Sequence, residues 1–417
     1  MPVHPTTTPV EPRDDATARA RRRHVRLAML AMMLGSFGIG TTEFVAMGLL
    51  PEIARSMDVS EPHAGKLISA YALGVVVGAP AIAIAASRVP RRALLIGLMV
   101  AFTLGNAATV LAPTYGTLMA ARIVAGLPHG AFFGVAALVA AGLAAPGARA
   151  RAVAQIMLGL SIANVVGVPA ATALGQHLGW RAAFGLVVLI GAAAALLILR
   201  WVPDVPLTAG TSPLAELSGF RNLQIWLVLL TGIVGFGGMF AVYTFISSTV
   251  TEEIGLPRAV VPLVLLLYGV GMVIGNFLGG AVADRALVPG LFGLFTLLAL
   301  VLGLFTVTST IVVLAVANLV LIAILGSALV PGLQTMLMDV AGNAQTLAAT
   351  ANHSALNIAN AMGAALGGAV LAAGLGYTAP AAAGAALAVA GIGVLALAVL
   401  LQRRGGFPRA GLSASVR

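Results

Sequence analysis

The chain contains no cysteine, which excludes a disulfide framework, a thiolate zinc site and a thiol nucleophile. It is also poor in charge. Asp, Glu, Lys and Arg make up 9% of its 417 residues, against about 25% in a water-soluble domain. Lysine is almost missing, with Lys66 the single lysine among 23 basic residues. No G-x-x-x-x-G-K-[ST] stretch occurs, so any work against a gradient draws on an ion and not on ATP hydrolysed by this chain. No nucleophile–base pair and no metal-ligand cluster is visible. Neither enzymatic chemistry nor a metal or cofactor is therefore expected.

What fills the sequence is hydrocarbon. Sixty per cent of the residues are hydrophobic and the mean hydropathy is +1.04. Continuous apolar runs of about 20 residues recur, each long enough to cross roughly 30 Å of bilayer core. They do not alternate, which indicates membrane helices and not barrel strands. Breaks at charged, Pro and Gly positions predict twelve spans, near 27–50, 64–86, 93–112, 117–142, 152–175, 181–201, 223–248, 259–282, 287–307, 310–336, 345–373 and 379–401.

The net charge of +10 raises the question of nucleic acid, and the positions of the charges answer it. With both termini on the cytoplasmic side, 18 of the 23 basic residues fall on that side; Arg55, Lys66, Arg181 and Arg258 fall outside, and Arg122 sits within span 4. The positive-inside rule accounts for this distribution, so nucleic acid is not an expected partner. Residues 1–26, ending RARRRHVR, read as a disordered basic cytoplasmic tail.

The chain repeats itself. Gly38 and Gly40 match Gly235 and Gly237, Tyr71 and Gly74 match Tyr268 and Gly271, and Gly78 matches Gly275, all 197 residues apart. SIAN at 161–164 resembles NIAN at 357–360 at an offset of 196. The organisation is an N-terminal six-helix bundle at 27–202, a hinge loop at 203–221, a C-terminal six-helix bundle at 222–402 and a cytoplasmic tail at 403–417. Two similar bundles imply a shared cavity and a rocking motion about it. The glycine run GVGMVIG at 269–275 lies inside a span with no following acid, so it reads as packing and not as a dinucleotide loop.

Several stretches carry a family resemblance: GTTEFVAMGLLPEIA at 40–54, SAYALGVVVGAP at 69–80, ARIVAGLPHGAFFGV at 121–135, ANVVGVPAATALGQHLGWRAAF at 163–184 and NIANAMGAALGG at 357–368. With six plus six spans, the chain resembles the major facilitator superfamily, in particular its drug:proton antiporters and arabinose-efflux-permease-like (AraJ-type) exporters. The resemblance implies an all-α membrane fold of two pseudo-symmetric bundles and export by alternating access. It also assigns motifs. The loop between spans 2 and 3 keeps Arg88, Arg91 and Arg92 of the family's gating motif but has Ser87 where the acid belongs; the second-half copy keeps Asp284 and Arg285. The span 5 antiporter motif maps onto Gly159, Gly167 and Pro169, and in the family it accompanies export.

Of the 13 acids, Glu43 alone falls well inside a span. An acid at a helix centre costs roughly 2.5–3.5 kcal/mol on insertion scales, so it is read as functional by default. Glu43 lies about 12 Å from Pro51 at the outer end of span 1, and Arg122 about 10 Å from Tyr115 at the outer end of span 4. The proton affinity of a carboxylate responds to burial and to a nearby cation. Glu43 is therefore the candidate proton carrier, Arg122 the base that holds its unprotonated form, and His129 a relay or binding group. The alternative is a fixed Glu43–Arg122 ion pair tying span 1 to span 4.

The expected cavity lining is Phe37 and Met47 of span 1, Phe133 of span 4, Asn164 of span 5, Phe236, Met239 and Tyr243 of span 7, Gln334 of span 10, and Asn357 and Asn360 of span 11. Aromatic and methionine side chains with a few amides suit a neutral or amphipathic small molecule. The functional expectation is a proton-coupled exporter of a sugar-like metabolite or of an amphipathic drug such as chloramphenicol. It would act as a monomer in a bacterial inner membrane, with substrate, protons and membrane lipid as its partners. The alternative is an uncoupled facilitator or importer of a sugar or nucleoside.

Overall fold

The computed structural model describes residues 13–86, 89–145, 148–204, 222–341 and 345–404. Every regular element among them is helical. Span 1 is Arg13–Gly48, continued past a kink at Leu49 by Leu50–Ser56, with Pro51 in its first turn. Spans 2, 3 and 4 are Lys66–Ala85, Arg91–Leu111 and Tyr115–Leu143. Span 5 is Arg149–Ile162 and Val168–Leu178, and span 6 is Trp180–Trp201. Span 7 is Leu223–Thr244 with a short continuation to Glu253. Spans 10, 11 and 12 are Val312–Ala341, Gln345–Ala372 and Ala379–Arg404.

Spans 8 and 9 form one helical stretch, Val261–Thr308, broken at Ala286 (φ −158°, ψ 74°). Unbroken, these 48 residues would reach about 72 Å at helical rise, far more than a bilayer core of about 30 Å. The break turns the chain back on itself, so that Gly290 lies against Val282. Among the described residues, eleven apolar helices thus make twelve crossings.

One boundary differs from the expectation. The arginine-rich stretch expected to be disordered is helical from Arg13 onward, because alanine and arginine are strong helix formers and continue the turns of span 1. Residues 205–221 of the expected hinge at 203–221, and the far termini, lie outside the described residues.

Polar ties mark the two ends of the bundle. At the end far from both termini, here the distal end, Arg181 donates to the carbonyls of Val110 (3.1 Å) and Ala112 (2.9 Å). There too Tyr115 donates to the His63 carbonyl and Ser309 to Glu253. At the proximal end Arg92 donates to the Leu199 carbonyl and Asn222 to that of Val340.

The duplication is visible in the packing. Gly74 and Gly78 of span 2 abut the carbonyls of Ile123 and Leu127 in span 4; Gly271 and Gly275 of span 8 abut those of Val320 and Ile324 in span 10. Each contact in the second set lies 197 residues after its counterpart in the first. Likewise Gly40 meets Ala163, and Gly237 meets Ala359. At Gly74, Gly78 and Gly275 the facing backbone comes too close for any side chain, which is what small residues allow at membrane helix interfaces. The glycines of 269–275 are among them: Gly269 abuts the carbonyl of Asn164 in the other bundle, so that run is packing.

Candidate functional site

The site starts from a local break in span 5. Pro169 has no N–H for the carbonyl one turn earlier, and the helix answers with a π turn at Ala163–Gly167. Such turns are frequent at functional sites. This one holds Asn164 against span 8, with Nδ2 donating to the Leu160 carbonyl (3.2 Å) and Oδ1 without a partner. Gly159 and Gly167 let span 1 press onto this turn, against Met33, Ser36, Phe37 and Thr41.

On span 1, Glu43 is buried, with 7% of its surface exposed. It faces the amide of Asn360 on span 11, across the junction of the bundles, in an approach loose enough that both amide atoms of Asn360 lack a close partner. Arg122 lies within electrostatic reach of Glu43 but spends its guanidinium elsewhere. It donates to the Thr42 hydroxyl and to the Thr42 carbonyl, both at 3.1 Å. The Thr42 hydroxyl in turn donates to Asn106 Oδ1 at 2.5 Å. The guanidinium also lies over the rings of Tyr71 (4.4 Å) and Phe184 (5.3 Å), and cation–π contacts strengthen when desolvated. Among the described residues, Glu43 and Arg122 do not form a direct ion pair.

Tyr71 connects this centre to His129, with its hydroxyl 3.0 Å from Nδ1. His129 packs on Phe133, and the Phe133 ring stacks on His353 of span 11 at 6.0 Å and 3°. From the second bundle, Tyr243 packs against Phe44, beside Glu43, at 5.5 Å. Tyr243 also lies flat on Tyr268 at 4.4 Å and 2°. Both tyrosine hydroxyls are buried without partners, as is Asn357 Oδ1.

The two halves are not chemically equivalent here. At the same offset of 197, the positions of Glu43, Arg122 and His129 are occupied by Phe240, Leu319 and Gly326. The first bundle supplies charge; the second supplies aromatic surface and amides.

A profile of the family described as "Major Facilitator Superfamily" matches residues 32–317. The chain belongs to the major facilitator superfamily. It is 43% identical over 354 residues to the inner membrane transport protein YdhP of Escherichia coli K12, covering 85% of this chain and 91% of that protein. AraJ of the same strain is 34% identical over 361 residues, covering 85% and 90%. The chloramphenicol resistance protein of Streptomyces lividans is 35% identical over 263 residues, or 62% and 67%. A solved D-xylose–proton symporter superposes with a TM-score of 0.70 at 15% identity, over 94% of this chain and all of that one, which shows the shared fold. As a superfamily member the protein is a multi-pass membrane transporter of small molecules and not an enzyme.

The remaining expected residues divide between the interface and other places. Phe133, Asn164, Tyr243 and Asn360 lie where the bundles meet, while Asn357 is buried on span 11 with Nδ2 donating to the His353 carbonyl (3.0 Å). Phe37 packs on Gly167, and Met47 is fully buried in apolar surroundings. Met239 fills the space beside Gly326 within the second bundle, and Phe236 packs on Phe240 at 5.1 Å. Gln334 accepts from Asn352 (2.6 Å). Of the gating residues, Arg92 pairs with Asp204 at 3.7 Å, while Asp284 and Arg285 are exposed just before the break at Ala286. Arg88 lies outside the described residues. Sequence reasoning missed Thr42, Asn106, Phe44, Tyr268 and the role of Tyr71, although the repeat had already paired Tyr71 with Tyr268.

Proposed function

We propose that the protein is a proton-coupled exporter of a small amphipathic or sugar-like molecule, working by alternating access in a bacterial inner membrane with both termini cytoplasmic. The observation that carries this reading is the placement of Glu43. It is a buried carboxylate at the bundle junction, without a direct ion pair among the described residues, facing Asn360 and close to Tyr243. A carboxylate so placed changes its surroundings when the bundles part. In the closed interface a neutral acid avoids the cost of a buried, unpaired charge. Once the interface opens to water, the charged form is solvated. Proton uptake and release are thereby linked to which side is open.

Arg122 then acts on Glu43 at a distance, held by Thr42 and Tyr71, and biases the proton affinity without locking the acid into a pair. The unpartnered hydroxyls of Tyr243 and Tyr268 and the amides of Asn164, Asn357 and Asn360 offer donors and acceptors beside an aromatic platform. That lining suits a largely neutral molecule with both hydroxyl or amide groups and an apolar face. Similarity to a chloramphenicol resistance protein makes chloramphenicol the first probe. In cells carrying the gene, collapse of the pH gradient should abolish the lowered chloramphenicol accumulation. A coupled exporter stops under that treatment, whereas unchanged exclusion of the drug would point to the uncoupled alternative.

A further inference from the structure

At the distal end a cleft of about 430 Å³ opens between the start of span 8 and the turn joining spans 5 and 6. Glu52, Arg55, Trp180, Arg181 and Arg258 contribute to its wall. The charges in this wall do not cancel. Arg258 is neutralised by Glu52, with Nε donating to Oε1 at 2.6 Å. Arg181 is pinned by three neutral acceptors, the carbonyls of Val110 and Ala112 and the Ser56 hydroxyl, and its guanidinium lies 4.3 Å over the Trp180 ring. Arg55 spends Nε on the Pro51 carbonyl (3.2 Å). Among the described residues no carboxylate pairs with Arg55 or Arg181. Two fixed positive charges are left over.

Two residues of this wall each carry a buried polar atom without a partner, the indole Nε1–H of Trp180 and Oε2 of Glu52. One wants an acceptor and the other a donor. An occupant that answers both carries an anionic group together with a hydroxyl or ammonium. At the rim stands Leu178, 70% exposed, at the end of a membrane helix. An apolar tail fits there and a bare soluble anion gains nothing from it.

We propose that this cleft binds the phosphodiester headgroup of a membrane phospholipid. The phosphate lies between Arg55 and Arg181, a headgroup hydroxyl or ammonium donates to Glu52 Oε2, and the acyl chains leave past Leu178. Guanidinium is the side chain best suited to phosphate oxygens. Because Glu52 also holds Arg258 across the bundle junction, the headgroup sits against the tie that closes the distal end. The proposal does not depend on substrate or proton coupling.

Native mass spectrometry of the full-length, detergent-solubilised protein tests it, with phosphatidylglycerol, phosphatidylcholine and inorganic phosphate as separate probes. The wild type should retain one phosphatidylglycerol in clear preference to phosphatidylcholine, which has no headgroup donor. Arg55→Gln should weaken that adduct by about tenfold, the scale of one lost charge-assisted contact. Trp180→Phe, which keeps the ring and removes the N–H, should weaken it by a smaller factor and serves as the second variant. Millimolar inorganic phosphate should not displace the lipid; displacement would overturn the lipid assignment in favour of a soluble phosphate. Equal phosphatidylglycerol retention by wild type and both variants would overturn the site altogether.

Discussion

The guanidinium of Arg122 is bonded to Thr42, through the hydroxyl and the main-chain carbonyl, and not to Glu43 one residue further along span 1. The buried base is spent on Thr42, and among the described residues the neighbouring acid has no direct ion pair, the arrangement that the proposed proton carrier requires.

That commitment predicts a cost at Thr42. Thr42→Val keeps the shape and removes the hydroxyl, stranding a terminal nitrogen of Arg122 and Oδ1 of Asn106. A buried group left unpaired costs about 1–3 kcal/mol. Thermal unfolding in detergent should show a clear fall in Tm for the valine variant, with most of it recovered by Thr42→Ser.

The glycine contacts shared by the two bundles predict a symmetric sensitivity. At Gly78 and Gly275 the space a Cβ would need is filled by the carbonyls of Leu127 and Ile324, whereas Gly280 has open space. Overpacking of this kind costs about 1–3 kcal/mol. Gly78→Ala and Gly275→Ala should each lower Tm or the yield of folded protein, and Gly280→Ala should match the wild type.

At the distal end Arg258 meets Glu52 and Ser248 donates to Glu61, each tie joining the two bundles. Glu52→Gln removes the charge that holds Arg258 and should let the distal end open more often. The absence of cysteine gives a clean background for a reporter at Ser247, which is 1% exposed. Labelling of Ser247→Cys by a membrane-impermeant maleimide should accelerate several-fold when Glu52→Gln is added. An unchanged rate would show that this tie does not limit opening.

Tyr377, in the turn between spans 11 and 12, predicts an alkaline transition. Burial, followed by the carboxylates of Glu61 and Glu252 and a hydrogen bond to Glu61, pushes its hydroxyl up to about 12. A phenol whose folded pKa lies above its unfolded value of about 10 stabilises the fold below pH 10 and loses that contribution as pH rises toward 12. The fall in Tm between pH 9.5 and 11.5 should be smaller in Tyr377→Phe than in the wild type.

Much of this architecture was legible from sequence. The twelve spans follow from apolar runs and their breaks, and the repeat from glycines 197 residues apart. Glu43 stands out because burying an acid in hydrocarbon is costly. What pattern could not supply was the partner of each buried group. Arg122 and Glu43 at equal depth suggested a pair, but the hydroxyl beside Glu43 is nearer to hand, and such competition is decided by ångströms. Met239 and Phe236 share the expected face of span 7, yet the missing side chain at Gly326 draws Met239 into its own bundle. The helix from Arg13 was missed because charge was read as disorder where alanine and arginine favour helix.

The central claim is that Glu43 carries the coupled proton, and Glu43→Gln in reconstituted liposomes tests it most directly. The variant should fail to move chloramphenicol against its gradient when a pH gradient is imposed, while still exchanging labelled for unlabelled drug across the membrane. Drug accumulation driven by the pH gradient at the wild-type rate in Glu43→Gln would contradict the account.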